Sequence, residues 1–271
     1  MPELPEVETR VRELRQPCVG HTIRGVQLDW PRHVHQLSPQ QFAERIHGQT
    51  VTHLWRRGKY LIFELTRDAL LIHLRMSGDL CVQPGNIAAA PHTHTRLRFE
   101  NGHELRFSDA RKFGRVYLVG DAQQIVGKLG PEPLADTFSA KQLHTALHAR
   151  NRALKPLLLD QSFLAGLGNI YTDEALFMAG LHPQRSSASL NLAEAHALWL
   201  AVRRALRSGI RHNGASIDWV YRGGQQQLHF RVYQRAGEPC LRCGAMVQRI
   251  VVAQRGTHFC PHCQRLTRAR K

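Results

Sequence analysis

Hydrophobic positions along the chain change their period twice. Val7, Val11 and Leu14 recur at helical spacing, which predicts a helix starting within a few residues of the N-terminus. From about residue 21 to 118 the period shortens to two. The clearest hairpin is Thr95 to Phe107: Leu97 and Phe99 alternate with charged residues, Asn101-Gly102 predicts a type I′ turn, and Leu105 and Phe107 resume the alternation. Val51–Trp55 and Tyr60–Leu65 predict a second strand pair, joined near Arg57-Gly58-Lys59. Gly130-Pro131-Glu132-Pro133 then breaks the pattern and reads as a linker. Helical periodicity follows over 139–149, 170–179 and 192–210, and His212-Asn213-Gly214 ends it.

This order predicts an α+β, multidomain chain. Residues 1–130 form a two-layer antiparallel β-sandwich flanked by helices, 131–230 a helical domain, and 231–271 a small terminal module.

Cysteine spacing defines that module. Two residues lie between Cys240 and Cys243, two between Cys260 and Cys263, and sixteen separate the pairs. Each short spacing lets two thiolates leave one tight turn toward one ion, and two such turns complete a tetrahedron. The expected cofactor is one structural zinc ion, because four thiolates leave no open position for a substrate. The intervening residues predict a hairpin, Gln248–Ala253 with Thr257–Phe259, and Arg255-Gly256 at its tip. Cys18 and Cys81 stand alone and read as packed thiols.

Charge adds a partner. Lys and Arg number 37 against 21 Asp and Glu, a formal net charge of +16 in 271 residues. A field of that sign attracts a polyanion, and nucleic acid is the usual one. No apolar run approaches the length of a membrane-spanning helix, and the start has no apolar signal core, so the expectation is a cytoplasmic protein without a membrane partner. The Gly166-Leu167-Gly168-Asn169 turn opens an apolar helix, and Asn169 can cap it or offer its amide to a phosphate. Its glycines match neither nucleotide-cofactor pattern.

Pro2 follows Met1 directly, so removal of Met1 would leave a secondary amine at the chain start. An α-amine titrates near 8, which leaves a useful fraction unprotonated at neutral pH. Attack on a sugar C1′ gives a cationic iminium, an electron sink, and Glu3 and Glu6 lie close in sequence to protonate the sugar oxygen or hold the amine.

Taken together these segments resemble the formamidopyrimidine-DNA glycosylases. Met1-Pro2-Glu3-Leu4-Pro5-Glu6-Val7-Glu8-Thr9 is similar to the opening of that family, Gly166 to Tyr171 to the start of its helix–two-turns–helix motif, and the four cysteines to its zinc finger. Lys59, Met76-Ser77-Gly78, Arg111 with Phe113, and Leu154-Lys155-Pro156 fall between them in the family's order. The resemblance implies an enzyme that removes oxidised purines from double-stranded DNA and cleaves the resulting abasic site, and a monomer is expected because one cleft suffices for one lesion. By position it implies Pro2 as Schiff-base nucleophile, Glu3 as general acid, Glu6 as orienting carboxylate, Lys59 as proton donor in β-elimination and Arg255 as phosphate grip in δ-elimination. It implies DNA contacts by His92, Asn151, Lys155 and Asn169, with Met76, Arg111 and Phe113 filling the gap left by an extruded base. Taken singly, Lys59 also reads as a solvated turn residue, Met76 and Phe113 as core, and Arg111 and Lys155 as surface ion-pair residues. The endonuclease VIII branch shares the chemistry but usually lacks Leu at position 4. A zinc-bearing DNA-binding module without catalysis would have no use for the Pro2-Glu3 pair. The stretch Asn213–His229 looks short beside the family's lesion-capping loop, and its glycines and glutamines suggest mobility.

Overall fold

The computed structural model describes residues 1–216 and 223–266 and separates the chain into two compact units. One comprises residues 1–128 with 216–224, the other 129–215 with 225–271. The central part of the Asn213–His229 stretch, residues 217–222, lies outside the described residues.

The first unit opens with helix α1 (Leu4–Cys18), followed by β1 (Ile23–Leu28), β2 (Val34–His35), α2 (Pro39–Ile46), β3 (Val51–Arg57), β4 (Tyr60–Leu65), β5 (Ala69–His73), β6 (Gly78–Pro84), β7 (Thr93–Phe99), β8 (His103–Asp109), β9 (Arg115–Val119) and the short α3 (Gln123–Val126). The strands form a four-stranded sheet, β1-β7-β8-β6, and a five-stranded sheet, β2-β9-β5-β4-β3. All pairings are antiparallel except that of the two-residue β2 with β9. One core joins both sheets to α1 and α2: Val7, Val11, Phe42, Leu61, Phe99 and Phe107 all pack within it. In β7 alternation turns Leu97 and Phe99 inward and leaves Arg96 and Arg98 on the outer face, whereas β5 is buried along its whole length.

Two turns differ from the sequence reading. Between β7 and β8, Gly102 alone has positive φ (80°), and its N–H donates to Phe99 O at 3.1 Å. Glu100-Asn101 therefore centre a tight turn that Gly102 closes in the left-handed region, a three-residue loop in place of type I′. At the zinc hairpin the tip is Ala253-Gln254, both at positive φ (47° and 60°), and Arg255-Gly256 begin the second strand opposite Val252 and Val251. Cys18 is buried as expected, whereas Cys81 is exposed.

The second unit contains α4 (Ala140–His148), α5 (Leu154–Leu159), α6 (Asn169–Ala179), α7 (Leu192–Arg211) and the hairpin β10 (Gln248–Val252) with β11 (Arg255–Phe259). Ser139 and Asn191 cap α4 and α7 through reciprocal boxes with Gln142 and Glu194. Gly180 ends α6 in the left-handed conformation. Helices α6 and α7 cross so closely that a side chain at Gly209 would meet the Tyr171 ring at 2.5 Å. The Gly130–Pro133 segment is tied down rather than free: Gly130 N–H donates to Gln161 O and Pro131 O accepts from Ala165 N–H. Gln226 is also fixed, buried against His212 and Ser208.

Candidate functional site

The start of α1 brings the two acidic residues together. Glu3 is the N-cap, Pro5 occupies the first turn, and Glu6 is the third helical residue. Glu3 N–H donates to Glu6 Oε2 at 2.8 Å, one half of a reciprocal capping box with the Glu6 amide directed at the Glu3 side chain. Anionic groups are favoured at this helix end by the backbone dipoles. Both carboxylates are buried, as is Pro2, while Met1 is exposed.

Lys59 follows Gly58 in the two-residue turn between β3 and β4, where Gly58 takes φ 56°. It is 5% exposed and so is not a solvated turn residue. The neighbouring His73 is packed edge-on against Tyr60, and its Nδ1 accepts from the Arg75 amide at 3.0 Å. Burial, with Arg75 and Lys59 close by, lowers the His73 imidazole to about 3. A neutral imidazole therefore sits beside these two cations.

Met76, Arg111 and Phe113 are exposed, at 40% for Met76 and 48% for Phe113, so neither apolar side chain is core. The guanidinium Nη2 of Arg111 donates to Met76 O at 2.8 Å, which joins the β5–β6 turn to the β8–β9 loop. A residue missed by sequence reading organises both. Asp109 is fully buried; Ser77 Oγ–H donates to its Oδ1 and Gly114 N–H to its Oδ2. Its own amide donates to the carbonyl of His92, an exposed residue held at φ 64°. The missed signal was the alternation itself, which puts Asp109 on the inward face after Leu105 and Phe107.

In the second unit Lys155 and Asn169 converge on the hairpin. Lys155 Nζ donates to Asp173 Oδ1 at 2.6 Å and to Gly256 O at 2.9 Å, and Asn169 Nδ2 donates to the same carbonyl at 3.0 Å. Asn169 does not cap α6, because Gly168 is the N-cap and the Asn169 amide is engaged with Gly256. Lys155 is fully buried rather than part of a surface ion pair. The other Asp173 oxygen accepts from His258 N–H at 2.9 Å, and Glu174 collects the amides of Arg231, Val232 and Tyr233. Two acids in an otherwise apolar helix were the available signal for this second missed pair. They fasten the segment before the hairpin and the hairpin itself to α6, and leave Arg255 exposed. Asn151 stands apart, exposed and accepting from Ser186 Oγ at 2.8 Å.

The four cysteine sulfurs lie within 4.8 Å of one another, with Cys240–Cys263 at 3.9 Å and Cys243–Cys260 at 3.5 Å. A tetrahedron built on 2.3 Å Zn–S bonds has edges of about 3.8 Å, so these positions fit the ion. The Arg242 and Cys263 amides donate to Cys240 and Cys260 sulfur, which suits thiolates. Cys240 and Cys260 pack with Val232, Val247 and Phe177 of α6. One structural zinc is the cofactor of this module.

Comparisons with known proteins agree along the chain. Residues 1–116 match the formamidopyrimidine-DNA glycosylase N-terminal domain, 129–220 the H2TH domain of the same enzymes, and 237–266 the zinc finger found in FPG and IleRS. The formamidopyrimidine-DNA glycosylase of Herpetosiphon aurantiacus is 46% identical, covering 97% of this chain and 100% of its own. That of Geobacillus kaustophilus is 44% identical over 98% and 100%. The Lactococcus lactis Fpg in complex with abasic-site DNA superposes with a TM-score of 0.91 at 38% identity, covering 97% of this chain and 99% of that one. A MutM structure with DNA containing carbocyclic 8-oxo-G gives the same score and identity, over 97% and 100%. Among the described residues no helix is long and apolar enough to cross a membrane. By its sequence over three successive domains and by its fold, the chain belongs to the formamidopyrimidine-DNA glycosylase family.

Proposed function

We propose that this chain excises oxidised purines, 8-oxoguanine and formamidopyrimidines, from duplex DNA in the bacterial cytoplasm and then cuts the strand at the abasic site. The observation that carries this reading is a buried acidic pair, Glu3 and Glu6, directly following a proline at the chain start. Removal of Met1 frees the Pro2 nitrogen as a secondary amine. It attacks C1′ of the damaged nucleotide while Glu3 protonates the sugar oxygen, and the base leaves. The resulting iminium acidifies C2′, so loss of that proton breaks the C3′–O bond, and a second elimination breaks the C5′–O bond. Lys59 is the proton donor in the first elimination, and Arg255 grips phosphate in the second.

A base inside a duplex must first leave the stack. Met76 and Phe113 are the exposed apolar residues that fill the gap, and Arg111 faces the unpaired cytosine. His92, Asn151 and Asn169 contact the backbone. Lys155 acts indirectly: enclosed by Asp173 and Gly256, it holds the start of β11 where Arg255 is presented. The +16 charge supplies the sequence-independent part of the affinity.

Borohydride trapping tests the reading. Processed protein and an 8-oxoguanine duplex give a covalent adduct at Pro2, located by peptide mass. Pro2→Gly, or an uncleaved N-terminal tag, abolishes it. An adduct on a tagged chain, on another residue or on none overturns the mechanism. Preferential excision of thymine glycol overturns the lesion class.

A further inference from the structure

We infer that Asp109 is a positioning residue for base extrusion, the buried anchor that sets the height and direction of Met76, Arg111 and Phe113. The inference rests on the gap-filling role proposed above for those three.

Nothing in that role requires a carboxylate beneath the loops. Yet Asp109 ends β8 at the point where two loops meet, and it is fully buried. Its Oδ1 accepts the Ser77 hydroxyl and the Arg111 amide (3.3 Å), and its Oδ2 accepts the Gly114 amide at 2.7 Å. Ser77 adjoins Met76, and Arg111 and Gly114 flank Phe113 on its two sides in the chain. One carboxylate thus fastens all three exposed residues through their neighbours. Its main chain adds two ties, N–H to His92 O at 2.9 Å and C=O from Lys112 N–H at 3.2 Å.

The loops between these ties have little freedom. Lys112 is held at positive φ (59°), and its ammonium lies 4.3 Å from the centre of the Trp30 ring. Any side chain at Gly114 would meet Phe107 at 2.3 Å, and any at Gly78 would meet Leu74 O at 2.5 Å. A wedge works only if it does not yield when pushed into a base stack, since extrusion costs unstacking energy that the inserted groups must offset. Hydrogen bonds to a buried charged acceptor resist such a load better than neutral ones. The three groups that hydrogen-bond the Asp109 side chain all donate, and His33 Nε2 lies 3.8 Å from its Oδ2, beyond bonding distance, so an amide in its place turns one bond into a donor–donor contact or reverses the Ser77 bond.

The test compares substrates that do and do not need the wedge, in single turnover. Asp109→Asn slows excision of 8-oxoguanine paired with cytosine by about 10- to 100-fold. It leaves strand cleavage at a preformed abasic site in a single-stranded oligonucleotide within about threefold of the parent. Ser77→Ala, a smaller change, moves the same ratio in the same direction. Combining Asp109→Asn with Phe113→Ala costs less than the product of the two losses, because the anchor acts through the wedge. Hydrogen exchange at the Arg111 and Gly114 amides quickens in Asp109→Asn without DNA present. Equal loss on both substrates, loss on neither, fully multiplicative losses or unchanged exchange overturns the inference. A parent chain that traps on no lesion sinks the proposed chemistry instead, and the exchange rates then decide the anchoring alone.

Discussion

Lys155 Nζ lies 2.6 Å from Asp173 Oδ1, with both side chains fully withdrawn from solvent. Burying two charges is unfavourable unless each is satisfied, and here the Gly256 carbonyl and the His258 amide complete the set. The pair links α5 to α6 and both to β11. Breaking it from one side leaves a lone buried charge. Asp173→Ala is expected to destabilise the chain by about 3–5 kcal/mol, measured by urea unfolding. Lys155→Met combined with Asp173→Leu recovers much of that loss while still releasing Gly256, so it regains stability without regaining DNA affinity. Full recovery of both would show that the pair does not position the hairpin.

The acidic pair at the start of α1 predicts an asymmetry between two substitutions of one residue. Gln at position 6 can still accept the Glu3 amide, as Gln does in capping boxes, whereas Ala leaves that amide buried without its partner. Glu6→Gln should lose excision rate while keeping the parent melting temperature. Glu6→Ala should lose rate and also about 1 kcal/mol of stability. Identical melting curves for the two would contradict the capping role.

Zinc removal is expected to act on DNA binding through Arg255. The sulfurs share a small core with Phe177, Val232 and Val247, so the ion's binding energy is also folding energy for the hairpin. Native mass should show one zinc per chain. Cys260→Ser or a strong chelator should remove it and weaken duplex binding about tenfold or more, as the hairpin loses its docking on α6. Undiminished affinity after metal loss would place the grip elsewhere.

Two histidines predict how stability changes with acid. Burial, opposed by the Asp109 carboxylate, lowers His33 to about 4, and burial with Arg75 and Lys59 lowers His73 to about 3. An unfolded imidazole titrates near 6.5, so protons bind the unfolded chain better. The stability these neutral rings permit is therefore complete above about pH 6.5 and falls as the pH drops toward 4 for His33 and toward 3 for His73. Each ring contributes a slope of about 1.4 kcal/mol per pH unit in that window. Urea unfolding of His33→Phe between neutral and mildly acidic pH should show one of the two slopes gone. An unaltered slope would mean that His33 takes no part.

Local chemistry was legible in the amino-acid sequence. Period-two alternation placed the strands of the sandwich, helical periodicity located α4, α6 and α7, and cysteine spacing alone specified a tetrahedral site. The ordered motifs carried the family, because each is a short contiguous run whose spacing survives in one dimension. What the tertiary structure decided is which residues meet. Asp109 joins the loops of Met76 and Arg111 from 32 residues beyond Ser77, and Gly256 receives Lys155 from 101 residues away. Turn geometry was decided there too, since the Ala253-Gln254 tip and the Glu100-Asn101 turn follow from strand register rather than from dipeptide preference. Buried polar groups explain the difference. A carboxylate inside a fold is stable only when distant chain segments bring donors to it, and one-dimensional spacing holds no record of which segments those are.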